Sequence, residues 1–377
     1  MPFTDFENRW IKDHIGETEA LVKTLGKIPA PSHHEEKRAA FILDWLKNQG
    51  AKDVSIDKAK NVILKIGDTQ SAPVSLVMAH TDVVFNDTEP LPMREEDGKL
   101  FAPGIGDDTA NLVALLMAAK YVLSQNLTPK GGLIIAANAC EEGLGNLKGV
   151  KQILNDCAGK ITSLVSIDCG AGEIVNNAVG SYRVKITVRA QGGHSYSDFG
   201  NENAIVQMAE IITRLYEKTP PTGAKTTYNA GVIEGGSTIN SIAGECSLLY
   251  EYRSESRECM QEMDNFLTET LNDFRRKGFD IETEVLGLRP CKGDMDEEKQ
   301  EALTQQAAKL VEEITQKPAS LHAASTDANA SLALGIPSVT VGAIVGGGAH
   351  TRGEWIRLDC LENAVKIALG ILKWSFE

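Results

Sequence analysis

The chain has 377 residues, enough for two domains, with 42% hydrophobic and 24% charged residues, the balance of an ordinary globular protein. Its net charge of −14 argues against nucleic acid and anionic membranes as partners. No apolar run approaches the ~20 residues of a membrane span, and Met1 to Trp10 is polar and acidic, unlike a signal peptide. The seven cysteines are widely spaced without a Cys-x-x-Cys pair, so reduced thiols in a cytoplasmic protein are the expectation.

The spacing of Trp10, Ile11, Ile15, Ala20, Leu21 and Leu25 predicts a helix over Phe6 to Leu25. After the loop at Ile28-Pro-Ala-Pro-Ser32, Ser32 reads as the cap of a helix reaching about Leu46. Short strands follow over Val54 to Ile66. The apolar run Val74 to Ala79 reads as a buried strand that ends on His80, Thr81 and Asp82. Ligands of an open α/β sheet sit just beyond the carboxyl ends of its strands. His80 can offer a ring nitrogen to a metal, and Asp82 can accept the other ring N–H. Taken alone, the stretch fits a buried His satisfied by a neighbouring carboxylate equally well.

Gly104-Ile-Gly-Asp-Asp-Thr-Ala-Asn111 opens a long apolar helix, Leu112 to Leu123. It is no dinucleotide loop, because Thr109 stands where a third glycine belongs and no clear strand leads into it. The glycines instead let Asp107 or Asp108 turn inward at a helix start. Gly132 to Cys140 is a second buried strand, ending on Glu141-Glu142. Adjacent carboxylates there are costly unless something positive meets them. Ser163 to Ile167 is a third strand, ending on Asp168. Three apolar strands thus deliver acid or imidazole at their carboxyl ends, a recurrence that one solvated strand end does not explain.

At Val179-Gly180 the pattern changes. Tyr182, Val184, Ile186, Val188 and Ala190 alternate with polar residues, as in a strand with one solvated face. The loop Gly192-Gly193-His194-Ser195 precedes a helix over about 202–217. Strands over 226–234 and 245–253, a helix over about 257–276 and a strand over 280–288 complete a β-α-β-β-α-β order, the ferredoxin-like pattern. It reads as a domain, residues 181–291, inserted into a first domain of residues 1–180 and 292–377. The first domain resumes with a helix over 296–316, then Ser325-Thr-Asp327, then Leu334 to Val341 leading to Gly346-Gly-Gly-Ala-His350. A helix from Cys360 to Trp374 closes it. His14, His33, His34 and His322 fit no motif.

His80, Asp107, Glu141, Glu142, Asp168 and His350 make a set of two imidazoles and four carboxylates. Such ligands without thiolates suit zinc, with cobalt or manganese as competitors. Two His and three carboxylates serve two metals if one carboxylate bridges, and such a pair can activate a water while polarising a carbonyl. The carboxylate left over is the natural general base.

At this point the chain resembles the co-catalytic zinc metallopeptidases that include peptidase T, aminoacylase, acetylornithine deacetylase and the glutamate-releasing carboxypeptidases. The motifs that carry the resemblance are His80-Thr-Asp82, Gly106-Asp-Asp108, Glu141-Glu142-Gly143, Asp168, Gly192-Gly-His194, Asn240 with Arg253, Ser325-Thr-Asp327, and Gly348-Ala-His350 followed by Glu354. The resemblance implies an α/β fold: a catalytic domain with a mixed, mostly parallel sheet flanked by helices, plus the inserted ferredoxin-like domain as a lid and dimerisation domain. It implies two zinc ions per subunit, with Asp107 bridging, His80 and Asp168 completing one site, and Glu142 and His350 the other. It gives Glu141 the role of general base towards the bridging water and lets Asp82 orient His80. His194 would stabilise the oxyanion, in many relatives across a dimer interface. Asn240 and Arg253 would hold the substrate backbone or a carboxylate, a task suited to a bidentate, permanently charged Arg.

Two departures bear on substrate. Asp168 stands where the deacylase and carboxypeptidase branches usually carry Glu and the peptidase T-like branch usually carries Asp. Glu251-Tyr-Arg253 replaces the Asp-x-Arg of many relatives. The expectation is therefore a cytoplasmic aminopeptidase acting on di- or tripeptides, a homodimer through the inserted domain. A deacylase of N-acyl amino acids or a carboxypeptidase using the same metals is the nearer alternative. A non-catalytic binding or dimerisation protein is the remote one.

Overall fold

The protein is described by a computed structural model covering residues 3–71 and 73–376. It divides into a larger unit, residues 1–178 with 293–377, and a smaller unit, residues 179–292. The larger unit begins with helices α1 (Asp5–Asp13), α2 (Ile15–Lys27) and α3 (Glu36–Asn48), then strands β1 (Val54–Ile56), β2 (Val62–Gly67) and β3 (Val74–His80). Helix α4 (Asn111–Ser124), β4 (Gly132–Asn138), α5 (Lys148–Asp156), β5 (Ile161–Ile167) and β6 (Glu173–Ala178) follow. The smaller unit supplies β7 (Gly180–Arg189), α6 (Ala204–Tyr216), β8 (Thr226–Gly235), β9 (Glu245–Ser254), α7 (Arg257–Arg276) and β10 (Asp280–Arg289). The larger unit resumes with α8 (Glu297–Thr315), β11 (Ser320–Ala324), α9 (Ala328–Leu332), β12 (Ser338–Val341) and α10 (Leu361–Lys373).

The main sheet has the strand order β1-β2-β4-β3-β5-β12-β6-β11. Strands β4, β3, β5 and β12 run parallel, while β2 and the β6–β11 pair oppose them. Both faces of the parallel centre are covered, which is why its strands read as continuous apolar runs. Val77 and Ala79 of β3 pack into a core shared with α2, α4, α8 and α10. Leu76 and Met78 face the other way, into a core shared with α5 and α9. The register sets His80 opposite Asn138 and Met78 opposite Ser166. The residues that follow β3, β4 and β5 therefore emerge side by side along one edge.

A small antiparallel sheet stands beside that edge, built from Arg94–Glu96, Lys99–Phe101, Trp355–Arg357 and Gly346–Gly347. Pairing of Trp355 with Phe101 brings the loop before α4 against the loop that carries His350. In the smaller unit the antiparallel strand order is β8-β9-β7-β10, and α6 and α7 share one core with the sheet. This is the ferredoxin-like order. Among the described residues no helix is long and apolar enough to cross a membrane.

Two local expectations need correction. The single helix over Phe6 to Leu25 breaks at His14 into α1 and α2. There the His14 ring Nδ1 sits 2.7 Å from the Trp10 carbonyl, a side-chain bond that competes with the helical ladder. Ser32 caps no helix: α3 starts after Glu35, and the Ser32 hydroxyl donates to Asp82 Oδ2 at 2.6 Å.

The segments leaving β5 and β12 pass so closely that a Cβ on Gly342 would lie 1.7 Å from the Gly170 carbonyl oxygen. Gly342→Ala is expected to cost ~3 kcal/mol through backbone displacement. Gly16→Ala, at an exposed helical position with open space around it, is expected to hold or raise the melting temperature. Thermal melts of the two variants check the contrast.

Candidate metal centre

Three of the candidate ligands, His80, Glu142 and Asp168, stand at or just beyond the ends of strands whose course is fixed by apolar packing. His80 closes β3, Glu141 and Glu142 follow β4, and Asp168 follows β5. Asp107 lies in the turn Ile105–Ala110 that opens α4, with a cis Asp107–Asp108 peptide. His350 sits in the loop after the Gly346–Gly347 strand. The structure brings five of these residues, all but Glu141, into two groups that share Asp107. One ligand atom each from His80, Asp107 and Asp168 lies within 4.8 Å of the others, and the same holds for Asp107, Glu142 and His350. The two oxygens of Asp107 are divided between them. Oδ1 is 3.0 Å from His80 Nε2, and Oδ2 is 3.1 Å from His350 Nε2. His350 Nε2 is also 3.3 Å from Glu142 Oε2.

The surroundings hold this arrangement through backbone N–H groups. Asp82 is completely buried, and its two oxygens accept the N–H groups of Glu141 and Glu142, each at 3.0 Å. Towards His80, the nearer group of Asp82 is its backbone carbonyl, 3.1 Å from Nδ1, with Oδ1 at 3.5 Å. Asp82 thus positions three neighbours, two of them by carboxylate-to-backbone bonds. Asp108 Oδ2 accepts the His80 N–H at 3.0 Å. Glu354 is buried, and it accepts the N–H groups of Gly104, Gly106 and Asp107 at 2.7–2.8 Å. Glu354 appears in the sequence as part of a motif without a role, and here it shapes the turn that presents Asp107. Arg38, also fully buried, donates to the carbonyls of Ile28 and Thr81 and places a positive charge near Asp82 and Asp108. A lone Arg inside a helix gives no sequence signal of such a place.

The electrostatics report crowded negative charge. Burial works against a charged His80, but Asp108, Asp107, Asp82 and Asp168 outweigh it and hold its pKa well above the ordinary value. Burial, then the Asp107 charge, pushes Asp168 up to about 6. Burial is also the largest cause that takes Glu142 up to about 7, against the hydrogen bond from His350. Hydrogen bonds to Asp107 and Glu142 carry His350 up to about 10. Burial pushes Asp108 and Asp327 well above the carboxylate range. Among the described residues, Glu142 Oε1 and Asp108 Oδ1 are buried without a hydrogen-bond partner, a costly state for a carboxylate oxygen. Hard, borderline ligands of this kind, with an unpartnered oxygen among them, fit a divalent cation in each group.

The remaining sequence candidates lie in the smaller unit. His194 is exposed, and its Nδ1 accepts the N–H groups of Tyr196 and Ser197 at 3.3 Å. Nε2 then carries the proton and is free of that cradle to donate. Asn240 is its neighbour: its carbonyl accepts the Ser195 N–H, and Ser241 pairs with His194. Arg253 is not brought together with them. It pairs with Ser181 at the start of β7, whereas His194 lies beyond the far end of that strand. The Arg253 guanidinium makes two 3.1 Å bonds to Glu251, so the Glu-Tyr-Arg departure has a structural consequence. Arg183 contacts the same carboxylate.

Comparisons with known proteins follow the same line. The pattern of Peptidase family M20/M25/M40 matches residues 76–374. The chain is 29% identical over 243 residues to a Pyrobaculum aerophilum protein named as a hydrolase of LysW-lysine and LysW-ornithine, covering 62% of this chain and 65% of that one. It is 28% identical over 224 residues to acetylornithine deacetylase of Myxococcus xanthus, covering 53% and 55%. The chain thus spans less than two thirds of these relatives' lengths. A crystal structure of a tripeptidase from Staphylococcus aureus superposes with a TM-score of 0.77 at 20% identity, covering 96% of this chain and 98% of that one.

If Glu354 shapes the turn bearing Asp107, Glu354→Gln puts an amide donor against backbone donors. Its zinc affinity is expected to fall by about 10–100-fold, measured by competition with a chromophoric chelator.

Proposed function

The chain belongs to peptidase family M20/M25/M40, and on that premise we propose that it is a metal-dependent exopeptidase that removes the N-terminal residue of di- or tripeptides. The observation that carries this reading is the pair of ligand groups joined by the two oxygens of Asp107. His80 and Asp168 would hold one ion and Glu142 and His350 the other, zinc by ligand chemistry, with cobalt or manganese as substitutes. When bound, such ions polarise a scissile carbonyl and lower the pKa of water.

The chain's own residues supply the rest. Glu141 takes the proton from the attacking water and returns it to the leaving amine. It is buried beside the ligands, and its backbone is fixed by Asp82. A desolvated carboxylate held in this way is a suitable proton carrier. His194 donates from Nε2 to the oxyanion of the tetrahedral intermediate, and Asn240 binds the substrate beside it. Arg253 is the candidate partner for a substrate carboxylate, in exchange for its bond to Glu251. Asp168 supports the aminopeptidase branch through the resemblance already described. The deacetylase among the relatives supports the second reading, removal of an acyl group from an amino acid by the same residues.

A homodimer through the smaller unit completes the proposal. Strand β8 is an edge strand, and Val232 and Ile233 on it are exposed, as are Ile205 and Val206 on α6. An exposed apolar edge strand invites pairing with a second chain.

The test is hydrolysis of one tripeptide and its N-acetylated form, with zinc and after chelation. The expected outcome is cleavage of the free-amine peptide alone, lost on chelation, restored by metal, and abolished in a Glu141→Gln variant that still binds metal. Cleavage at the acetyl amide would establish the deacylase instead. Near-normal turnover by Glu141→Gln would remove Glu141 from the proton-transfer role.

A further inference from the structure

Beside Asp107 and Asp168 the surface opens into a cavity of about 300 Å³. Gly170, Ile344, Gly346, Gly347 and Ala349 form much of its wall. Its ionisable groups apart from Cys169 are all carboxylates, those of Asp107, Asp168, Glu173 and Glu354, and no Lys, Arg or His lines it. Three of these carboxylates already have tasks. Asp107 and Asp168 are candidate ligands, and both oxygens of Glu354 accept backbone N–H groups. Glu173 is different. It forms no ion pair among the described residues, and only its Oε2 is engaged, by the Gly170 N–H at 3.1 Å.

Glu173 is exposed, and its carboxylate is tethered at one oxygen by the Gly170 N–H. Glu173 begins β6, its N–H donates to the Gly170 carbonyl, and its own carbonyl accepts from Gly342. A Cβ on Gly170 would stand 3.3 Å from Glu173 Oε2, so the glycine leaves room for this side-chain position. The result is an exposed carboxylate, anchored through Oε2, at the wall of a cavity that opens on the proposed reaction centre, with its second oxygen uncommitted among the described residues.

We propose that Glu173 receives the free α-ammonium group of the substrate's N-terminal residue, and so selects amine-bearing peptides. This rests on the exopeptidase reading above. Three kinds of substrate end compete for the cavity. A substrate carboxylate placed against Glu173 would meet a like charge and is repelled. An N-acyl group would dehydrate the Glu173 carboxylate without giving it a partner. An ammonium group satisfies the free oxygen with a charge-assisted hydrogen bond, while the residue's side chain lies against Ile344, Ala349 and the glycines.

The experiment uses the zinc-loaded full chain and two substrates, Leu-Gly-Gly and its desamino analogue, 4-methylpentanoyl-Gly-Gly. The wild-type protein is expected to favour the amine substrate in kcat/KM. Glu173→Gln is expected to reduce that preference by about 10- to 100-fold, chiefly by raising KM for Leu-Gly-Gly, with the analogue unchanged and the metal content intact. Gly170→Ala, which displaces Oε2, is expected to move the preference in the same direction. An unchanged preference in Glu173→Gln, or an equal loss for both substrates, would overturn the assignment while leaving the aminopeptidase reading standing. A wild-type protein indifferent to the amine would overturn both.

Discussion

The constraint on which this structure depends is negative charge gathered at the carboxyl ends of buried strands. Asp82, Asp108, Glu141, Glu142, Asp168, Asp327 and Glu354 are all buried there, and Asp107 is half-buried among them. His80, His350 and Arg38 are the positive groups set against them. Carboxylates out of water are costly unless each is neutralised, hydrogen-bonded or paired with a cation. The fold meets this demand in three ways. Asp108 and Asp327 are pushed towards the neutral acid. Asp82 and Glu354 collect backbone N–H groups. Asp107, Glu142 and Asp168 are left facing one another and two imidazoles, an arrangement that divalent cations would complete.

The same bonds that make Asp82 and Glu354 tolerable position the ligands. Asp82 ties the start of the Glu141-Glu142 turn to the end of β3, while Ser32 holds its carboxylate from the other side. Glu354 ties the Asp107 turn to the loop after His350, across pairing that the small sheet enforces. His350 is the most exposed of the candidate ligands. Its loop is anchored by Arg352, which grips Asp87 with two bonds and lies over the Phe85 ring. Second-sphere bonds of this kind set ligand direction and basicity.

Much of this was legible in the chain. Apolar runs ending on His80, Glu141-Glu142 and Asp168 announce parallel strands with polar carboxyl ends, because a sheet covered on both faces leaves its strands no other place for charge. The alternation from Tyr182 to Ala190 marks the change to a sheet with one solvated face. What was not legible were contacts between single polar residues far apart in sequence. Ser32 meets Asp82 across 50 residues, and Glu354 meets Asp107 across 247. No periodicity records such pairs, and Ser32 accordingly reads as a helix cap when the sequence is taken alone. Glu173 is likewise an unremarkable acid at a strand start until the cavity beside it is seen. Arg253 carries a family pattern, but its bond to Glu251 depends on a neighbour two residues away on the same face of β9.

The central claim is that Asp107 joins two cation sites into one centre. The most direct measurement is titration of the metal-free protein with Co2+, followed by its visible absorption, for the native chain and Asp107→Asn. The account predicts two cobalt ions per native chain, and loss or marked weakening of both sites together in the variant. A single ion per chain, or a variant that loses one site and keeps the other intact, would contradict it.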